Sequence, residues 1–218
     1  MRADEPVVTS INVGQAETLE HRDKHLTTGI CKRPVAGPVP IGTERVANDV
    51  IFDPEHHGGP DQAVYVYSAE DYAWWSAELG RECGPGLFGE NLTLRGLPAE
   101  MSVGDRLLIG EVLLEATSPR IPCSTLAARM QDSNFGLAFR RARRPGVYFR
   151  VLNAGSVAAG DRVTYLAAPG SGVSVLDLFD LAFEPRPDPD VLRRCLDAPI
   201  AVRTRAMLEK KLAAAGSG

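Results

Sequence analysis

Glycine and proline fall so often in the first three quarters of this chain that they leave little room for long helices. The 218 residues hold 21 glycines and 16 prolines. Before residue 168 these cut the apolar segments into short β-rich runs bounded by turn residues, the pattern of successive strands. Val7 to Val13 reads as a first strand ending at Gly14, and Val64 to Tyr67 and Gly146 to Leu152 read as others. Arg106–Ile109 and Val112–Leu114 flank Gly110-Glu111, a hairpin with a glycine-first turn. Met101 to Leu107 is echoed by Val157 to Val163, one turn-into-strand device used twice. The expected fold is mainly β with α, a closed or nearly closed β-barrel from about residue 6 to 167.

Short helices interrupt the strands. Ser68-Ala69-Glu70-Asp71 is a capping signature opening a helix to Gly80, with Tyr72, Trp75 and Leu79 on one face. Phe135 to Arg141 is a second, shorter one. Gln15 to Thr28 is polar and reads as a loop, so its histidines, His21 and His25, are expected in solvent rather than on a metal. After a linker at Pro169-Gly170-Ser171-Gly172, helix formers take over. Three helices follow, at Val173–Phe183, Pro189–Leu196 and Ala201–Ala215, separated by prolines. The expected division is a β domain at 1–168 and a helical one at 173–215.

The chemistry concentrates at Thr117–Leu126, Thr-Ser-Pro-Arg-Ile-Pro-Cys-Ser-Thr-Leu. Proline fixes φ and pushes its predecessor into an extended conformation, so Cys123 ends a stiffened segment. Ser124 then reads as the N-cap of a helix. A thiol there is either a small buried hydrophobe or, with free amides and Arg120 nearby, a thiol of depressed pKa. Three further segments carry reactive side chains. Lys32-Arg33 beside Gly29 is a candidate anion site. His57-Gly58-Gly59-Pro60-Asp61 crowds ionisable groups against a tight turn. Gly84 to Leu92 is a glycine-rich loop that places Asn91 just before a strand, where its amide can both donate and accept. Arg140, Arg141, Arg143 and Arg144 are either solvated or part of an anion rim.

Composition narrows the classes. The chain is 44% hydrophobic and 24% charged with a net charge of −4, an ordinary globular balance that gives no reason to expect nucleic acid or a membrane as partner. The three C-terminal helices raise a DNA-binding reading, but their charge is not strongly basic overall. No apolar run approaches a membrane span, and Met-Arg-Ala-Asp-Glu-Pro does not read as a signal peptide. The four cysteines, Cys31, Cys83, Cys123 and Cys195, form no C-x-x-C pair, which fits a reducing cytoplasm and excludes a local iron–sulfur motif.

Taken together, Ser10–Gly14, Thr28–Val35, His57–Ala63, Phe88–Leu92 and Ser118–Cys123 occur in an order that resembles the MOSC family, the C-terminal domain of molybdenum cofactor sulfurase, in its bacterial YiiM-like branch. The three-helix tail matches that branch too. The resemblance implies a MOSC-like β-barrel with a small C-terminal three-helix subdomain, binding molybdenum cofactor (molybdopterin), with Cys123 as the metal's thiolate. The family description also extends to pyridoxal phosphate. The implied activity is reduction of N-hydroxylated compounds, such as hydroxylaminopurines and amidoximes, to N–H and water.

Within that frame Lys32, Arg33 and Arg120 are expected to neutralise anionic parts of the cofactor, with Gly58 and Gly59 allowing close approach and Asn91 touching cofactor or substrate. His57 and Asp61 are expected either to deliver protons or to build the loop. The chain has no flavin or nicotinamide fingerprint, so a separate electron-donor flavoprotein or redox protein is expected. Two other readings use the same residues: a non-catalytic carrier of cofactor or sulfur on Cys123, and a metal-free enzyme whose cysteine nucleophile pairs with His57.

Overall fold

The computed structural model describes residues 5–21, 24–52, 58–170 and 172–216. Twelve strands are present among them: β1 (Val7–Gly14), β2 (Glu17–His21), β3 (Lys24–Thr28), β4 (Lys32–Pro34), β5 (Val39–Ile41), β6 (Val64–Ser68), β7 (Leu92–Arg95), β8 (Arg106–Ile109), β9 (Val112–Pro119), β10 (Val147–Asn153), β11 (Gly155–Val157) and β12 (Val163–Leu166). The helices are α1 (Ala69–Leu79), α2 (Ser124–Met130), α3 (Phe135–Ala142), α4 (Val175–Phe183), α5 (Pro189–Leu196) and α6 (Val202–Ala215). The molecule is thus mainly β with α.

Eight strands form one sheet in the order β12-β8-β9-β10-β6-β7-β1-β4. All of its pairs are antiparallel except β6 with β7, which α1 and the glycine-rich loop connect. The expectation of a closed or nearly closed barrel is corrected on closure alone: the sheet does not close, and its edges are β12 and β4. β1 divides its outer edge: Asn12 to Gly14 pair with β4, and only its first residues meet the β12 side. A single bridge, Val7 with Arg162, forms there. Bonds from Val8 N to Asp161 O (2.9 Å), Gly160 N to Val8 O (2.8 Å) and Val163 N to Pro6 O (2.8 Å) complete the seam. The expected loop at Gln15–Thr28 is likewise corrected. Its described residues Glu17–His21 and Lys24–Thr28 form the antiparallel pair β2–β3, in which Leu19 opposes Leu26; polar side chains on a solvated ribbon hide a strand from a hydrophobicity pattern.

Alternation along the strands builds two cores. In β6, Val64 and Val66 enter the core inside the sheet with Ile11, Leu92, Leu107 and Leu114, while Tyr65 and Tyr67 face an aromatic core outside it. Trp75, Phe88, Phe135, Phe139 and Phe179 fill that second core under the helices. Fully burying each such side chain contributes about 1.5–3 kcal/mol. α1 begins as its signature requires, with Ser68 Oγ accepting from the amides of Glu70 and Asp71. The repeated turn device is also real: Asp105 Oδ2 accepts from Ser102 N, and Asp161 Oδ2 from Ala158 N, both at 2.7 Å.

α4, α5 and α6 stand where the helix formers and prolines put them. Ser174 and Asp177 make a capping box on α4, and Asp188 caps α5 ahead of Pro189. Their own core centres on Leu178, Leu192, Cys195 and Leu208.

Candidate functional site

β9 carries the chain to Ser118-Pro119 at its end, and the two prolines hold it extended up to Cys123. Cys123 itself is the N-cap of α2, with φ −129° and ψ 174°, one residue earlier than the expected Ser124. Its carbonyl accepts from Leu126 N (3.1 Å) and Ala127 N (3.2 Å). The side chain is half-buried and lines a cavity of about 150 Å³. The walls include Lys32, Asp49, Tyr65, Asn91, Arg120 and Tyr148.

Arg120 is the cation beside the sulfur. Its side chain hydrogen-bonds that of Cys123, and its Nη1 donates to Phe88 O at 2.8 Å. The guanidinium carbon lies 5.5 Å from the centre of the Tyr65 ring. Arg120 is buried, 5% exposed, and its Nε has no partner. Among the described residues no carboxylate pairs with it. A buried, always-protonated guanidinium with a free N–H is costly on its own and is suited to an anion.

Lys32 is spent differently. Strand alternation turns it inward and Arg33 outward. Lys32 pairs with Asp49, and burial pulls its amine below the ordinary lysine value while Asp49 opposes that. Asp49 also accepts from Gly14 N (2.8 Å) and Asn91 Nδ2 (2.9 Å). Asn91 in turn accepts from Tyr65 N at 3.1 Å through Oδ1, and its backbone bonds Tyr65 O and Asn12 N. These residues therefore brace β1, β4, β6 and the glycine-rich loop around the cavity, and Lys32 keeps little free charge for a ligand.

The remaining expectations separate. Arg33 does not line the cavity; it is exposed and pairs with Glu17. Gly58, at φ +74°, does line it, packed so that a Cβ would stand 2.6 Å from Ile51 Cδ1. Gly59 does not line it and begins the 3-10 turn Pro60–Gln62. Asp61 faces away and is fully engaged: Oδ1 pairs with Arg150 (3.0 Å) and Oδ2 accepts from Val202 N (2.8 Å). His57 lies outside the described residues.

The Arg140–Arg144 cluster is not on the cavity wall. Arg143 pairs with Asp180 and Arg144 with Asp71, while Arg140 lies over Phe183. Among the described residues no group of three or more His, Cys, Asp or Glu could hold a metal ion.

The sequence reading passed over Asp49, Tyr65 and Tyr148. Asn48, at φ +61°, marks a turn that delivers Asp49 inward. Tyr65 and Tyr148 oppose one another across β6 and β10, their ring centres 4.8 Å apart. Aligning Val-Tyr-Val-Tyr against Gly-Val-Tyr-Phe would have paired them. Burial holds the Tyr148 phenol above its ordinary value, against the pull of Arg120, so it remains a neutral donor.

Residues 53–164 match the MOSC domain, and residues 173–215 match the YiiM-like 3-alpha helix domain. The chain is similar to YflK of Bacillus subtilis, 38% identical over 176 residues that make up 80% of each protein. It is 31% identical over 184 residues, 80% of this chain, to a protein of Gibberella moniliformis named "Reductase", of which it spans about a third (32%). In three dimensions it superposes on the crystal structure of YiiM from Geobacillus stearothermophilus with a TM-score of 0.79 and 28% identity, covering 95% of this chain and 99% of that one. The match over the sheet region and the match over the helical tail fall in one family, and the chain belongs to the MOSC family in its YiiM-like branch.

Proposed function

We propose that this chain is a molybdenum-cofactor-dependent reductase of N-hydroxylated compounds. The observation that carries the reading is the pair Arg120–Cys123: a half-buried thiol opens on a cavity beside a buried cation that has a free N–H and, among the described residues, no carboxylate partner. That donor set fits a sulfur-rich anionic metal centre. Cys123 would supply the thiolate ligand, and Arg120 would balance the negative charge of the cofactor's sulfur side. When bound, the cofactor supplies a metal that cycles between oxidation states two electrons apart.

The chain's own residues do the rest. At about 150 Å³ the cavity is smaller than the roughly 300–1,000 Å³ of a pocket for a whole organic ligand. It would hold only part of a cofactor and the N–OH end of a substrate, with bulkier groups left outside. Tyr65 and Tyr148, their rings tilted 33° to one another, offer aromatic surface against which a heterocycle packs. The Tyr148 hydroxyl, a neutral donor, holds the departing oxygen. The overall change is R–NH–OH plus two electrons and two protons to R–NH₂ plus water, with the electrons coming from a separate redox protein. Pyridoxal phosphate requires an uncommitted amine, and among the described residues the lysine lining the cavity, Lys32, is committed to Asp49.

The reductase named among the relatives and the family's general association with molybdenum cofactor support this reading. The test is turnover: protein loaded with cofactor, a chemical reductant and 6-hydroxylaminopurine or benzamidoxime. Formation of the amine or amidine is expected. Cofactor bound without turnover of any N-hydroxylated substrate favours a carrier instead.

A further inference from the structure

The three C-terminal helices do not form a separate appendage. α4 alone reaches all three cores, with Val175 in the sheet interior, Phe179 in the aromatic core, and Leu178 and Leu181 in the helical one. The start of α6 then meets the rim of the Cys123 cavity from behind. Arg203 Nη1 donates to Gly58 O (2.9 Å) and to Gln62 Oε1 (2.8 Å), and both Gly58 and Gln62 line the cavity.

The residues around that contact tie the same two parts together. Val202 N donates to Asp61, as described. Ala201 N donates to Thr117 O at 3.2 Å, on the strand that leads to Cys123. Thr117 Oγ1 donates to Asp61 O at 2.6 Å. Arg150 bridges from Asp61 to the carbonyl of Pro199, just before α6, at 3.0 Å. A rim built on two consecutive glycines at positive φ has few side chains of its own to anchor it. Charge-assisted donors from outside supply that anchor.

We propose that α6 is a working part of the cavity and that Arg203 is a positioning residue. By holding the Gly58–Gln62 rim it sets the width of the opening over Cys123, so that small reactants enter and bulky ones do not. This holds whichever group occupies the cavity.

The test uses the full chain and two thiol reagents of different size, iodoacetamide and fluorescein-5-maleimide, with mass spectrometry following the peptide that carries Cys123. The quantity read is the ratio of bulky to small reagent rates. Arg203→Ala removes both rim hydrogen bonds and is expected to raise that ratio at least about tenfold, tenfold being the scale of a single lost hydrogen bond to a charged group, with the iodoacetamide rate little changed. Gln62→Ala, which removes one acceptor only, is expected to raise it less. General loosening would raise both rates together. If Arg203→Ala does not fold, Gln62→Ala decides. An unchanged ratio in a folded variant, or an equal rise for both reagents, overturns the proposal.

Discussion

Asp61 caps the first amide of a helix that begins 141 residues later, accepting from Val202 N at 2.8 Å while its other oxygen pairs with Arg150. A carboxylate with both oxygens occupied is poorly placed to shuttle protons. Asp61→Asn is therefore expected to retain most of the capping, since asparagine caps as well as aspartate, whereas Asp61→Ala loses about 1 kcal/mol or more. Urea unfolding of both variants measures this. Activity that survives in Asp61→Asn supports the architectural role; loss of activity with unchanged stability would restore the proton-delivery role.

Lys32 and Asp49 stand as a buried pair, and removing one partner strands the other. Lys32→Met is expected to cost about 3–5 kcal/mol, visible as a fall in the urea midpoint. A loss below about 1 kcal/mol, the range of exposed ion pairs, would mean that the pair is solvated.

Arg120 makes the opposite prediction. It is a buried cation with no carboxylate among the described residues, so Arg120→Met relieves desolvation and is expected to leave the stability of the protein unchanged or higher. It also removes the positive charge beside Cys123. The midpoint of the pH profile for alkylation of Cys123 is then expected to rise, because a nearby cation favours the thiolate. An unmoved midpoint would show that Arg120 does not act on the sulfur.

Two glycines separate strain from clash. At Gly80, which ends α1 at φ +60°, an added Cβ meets nothing within 4 Å, so Gly80→Ala is expected to cost only the left-handed penalty of about 1–2 kcal/mol. At Gly86, φ +85°, the Cβ would stand 2.3 Å from the carbonyl oxygen of Lys32. Gly86→Ala adds a backbone shift to the same penalty and is expected to cost clearly more, and to disturb the Lys32–Asp49 pair. Equal losses at the two positions would contradict this packing.

Glu90 gives a pH signature. It is fully buried, and its Oε1 accepts from Gly86 N (2.6 Å), Tyr72 OH (2.8 Å) and Thr93 Oγ1 (2.9 Å) while Oε2 has no partner. Burial raises its pKa above the ordinary 4.5. The folded chain thus keeps a proton that the unfolded chain has released, so this contribution to stability is full below about pH 4.5 and is lost as pH rises through the folded value. Glu90→Gln cannot ionise and keeps the Oε1 acceptor. Its stability is expected to fall less than that of the wild type from pH 4.5 upward. Parallel profiles would show that Glu90 titrates as an ordinary carboxylate.

What could be read from the sequence follows the range of the interactions. Turn residues and capping boxes act over a few positions, so α1, the Gly110 hairpin, the repeated Asp105 and Asp161 turns and the three C-terminal helices were legible. Cys123 and Arg120 were legible because two prolines fix them three residues apart. Lys32 was named with Arg33, and only the pleat of β4 separates the inward side chain from the outward one. Asp61 was singled out, but its partners are set by packing 89 and 141 residues away. Asp49, Tyr65 and Tyr148 became visible only once β1, β6 and β10 were paired. That the sheet stays open depends on how β1 divides its outer edge, which no local pattern encodes.

The central claim is that the Cys123 sulfur holds a molybdenum centre. The most direct measurement is molybdenum and pterin content of protein expressed in a cofactor-proficient host, together with the alkylation rate of Cys123 in the same sample. The account predicts molybdenum and pterin in near-equal amounts, Cys123 protected in the loaded fraction, and loss of the metal in folded Cys123→Ser. Protein from such a host that carries no molybdenum, or carries it with Cys123 still freely alkylated, would contradict the claim.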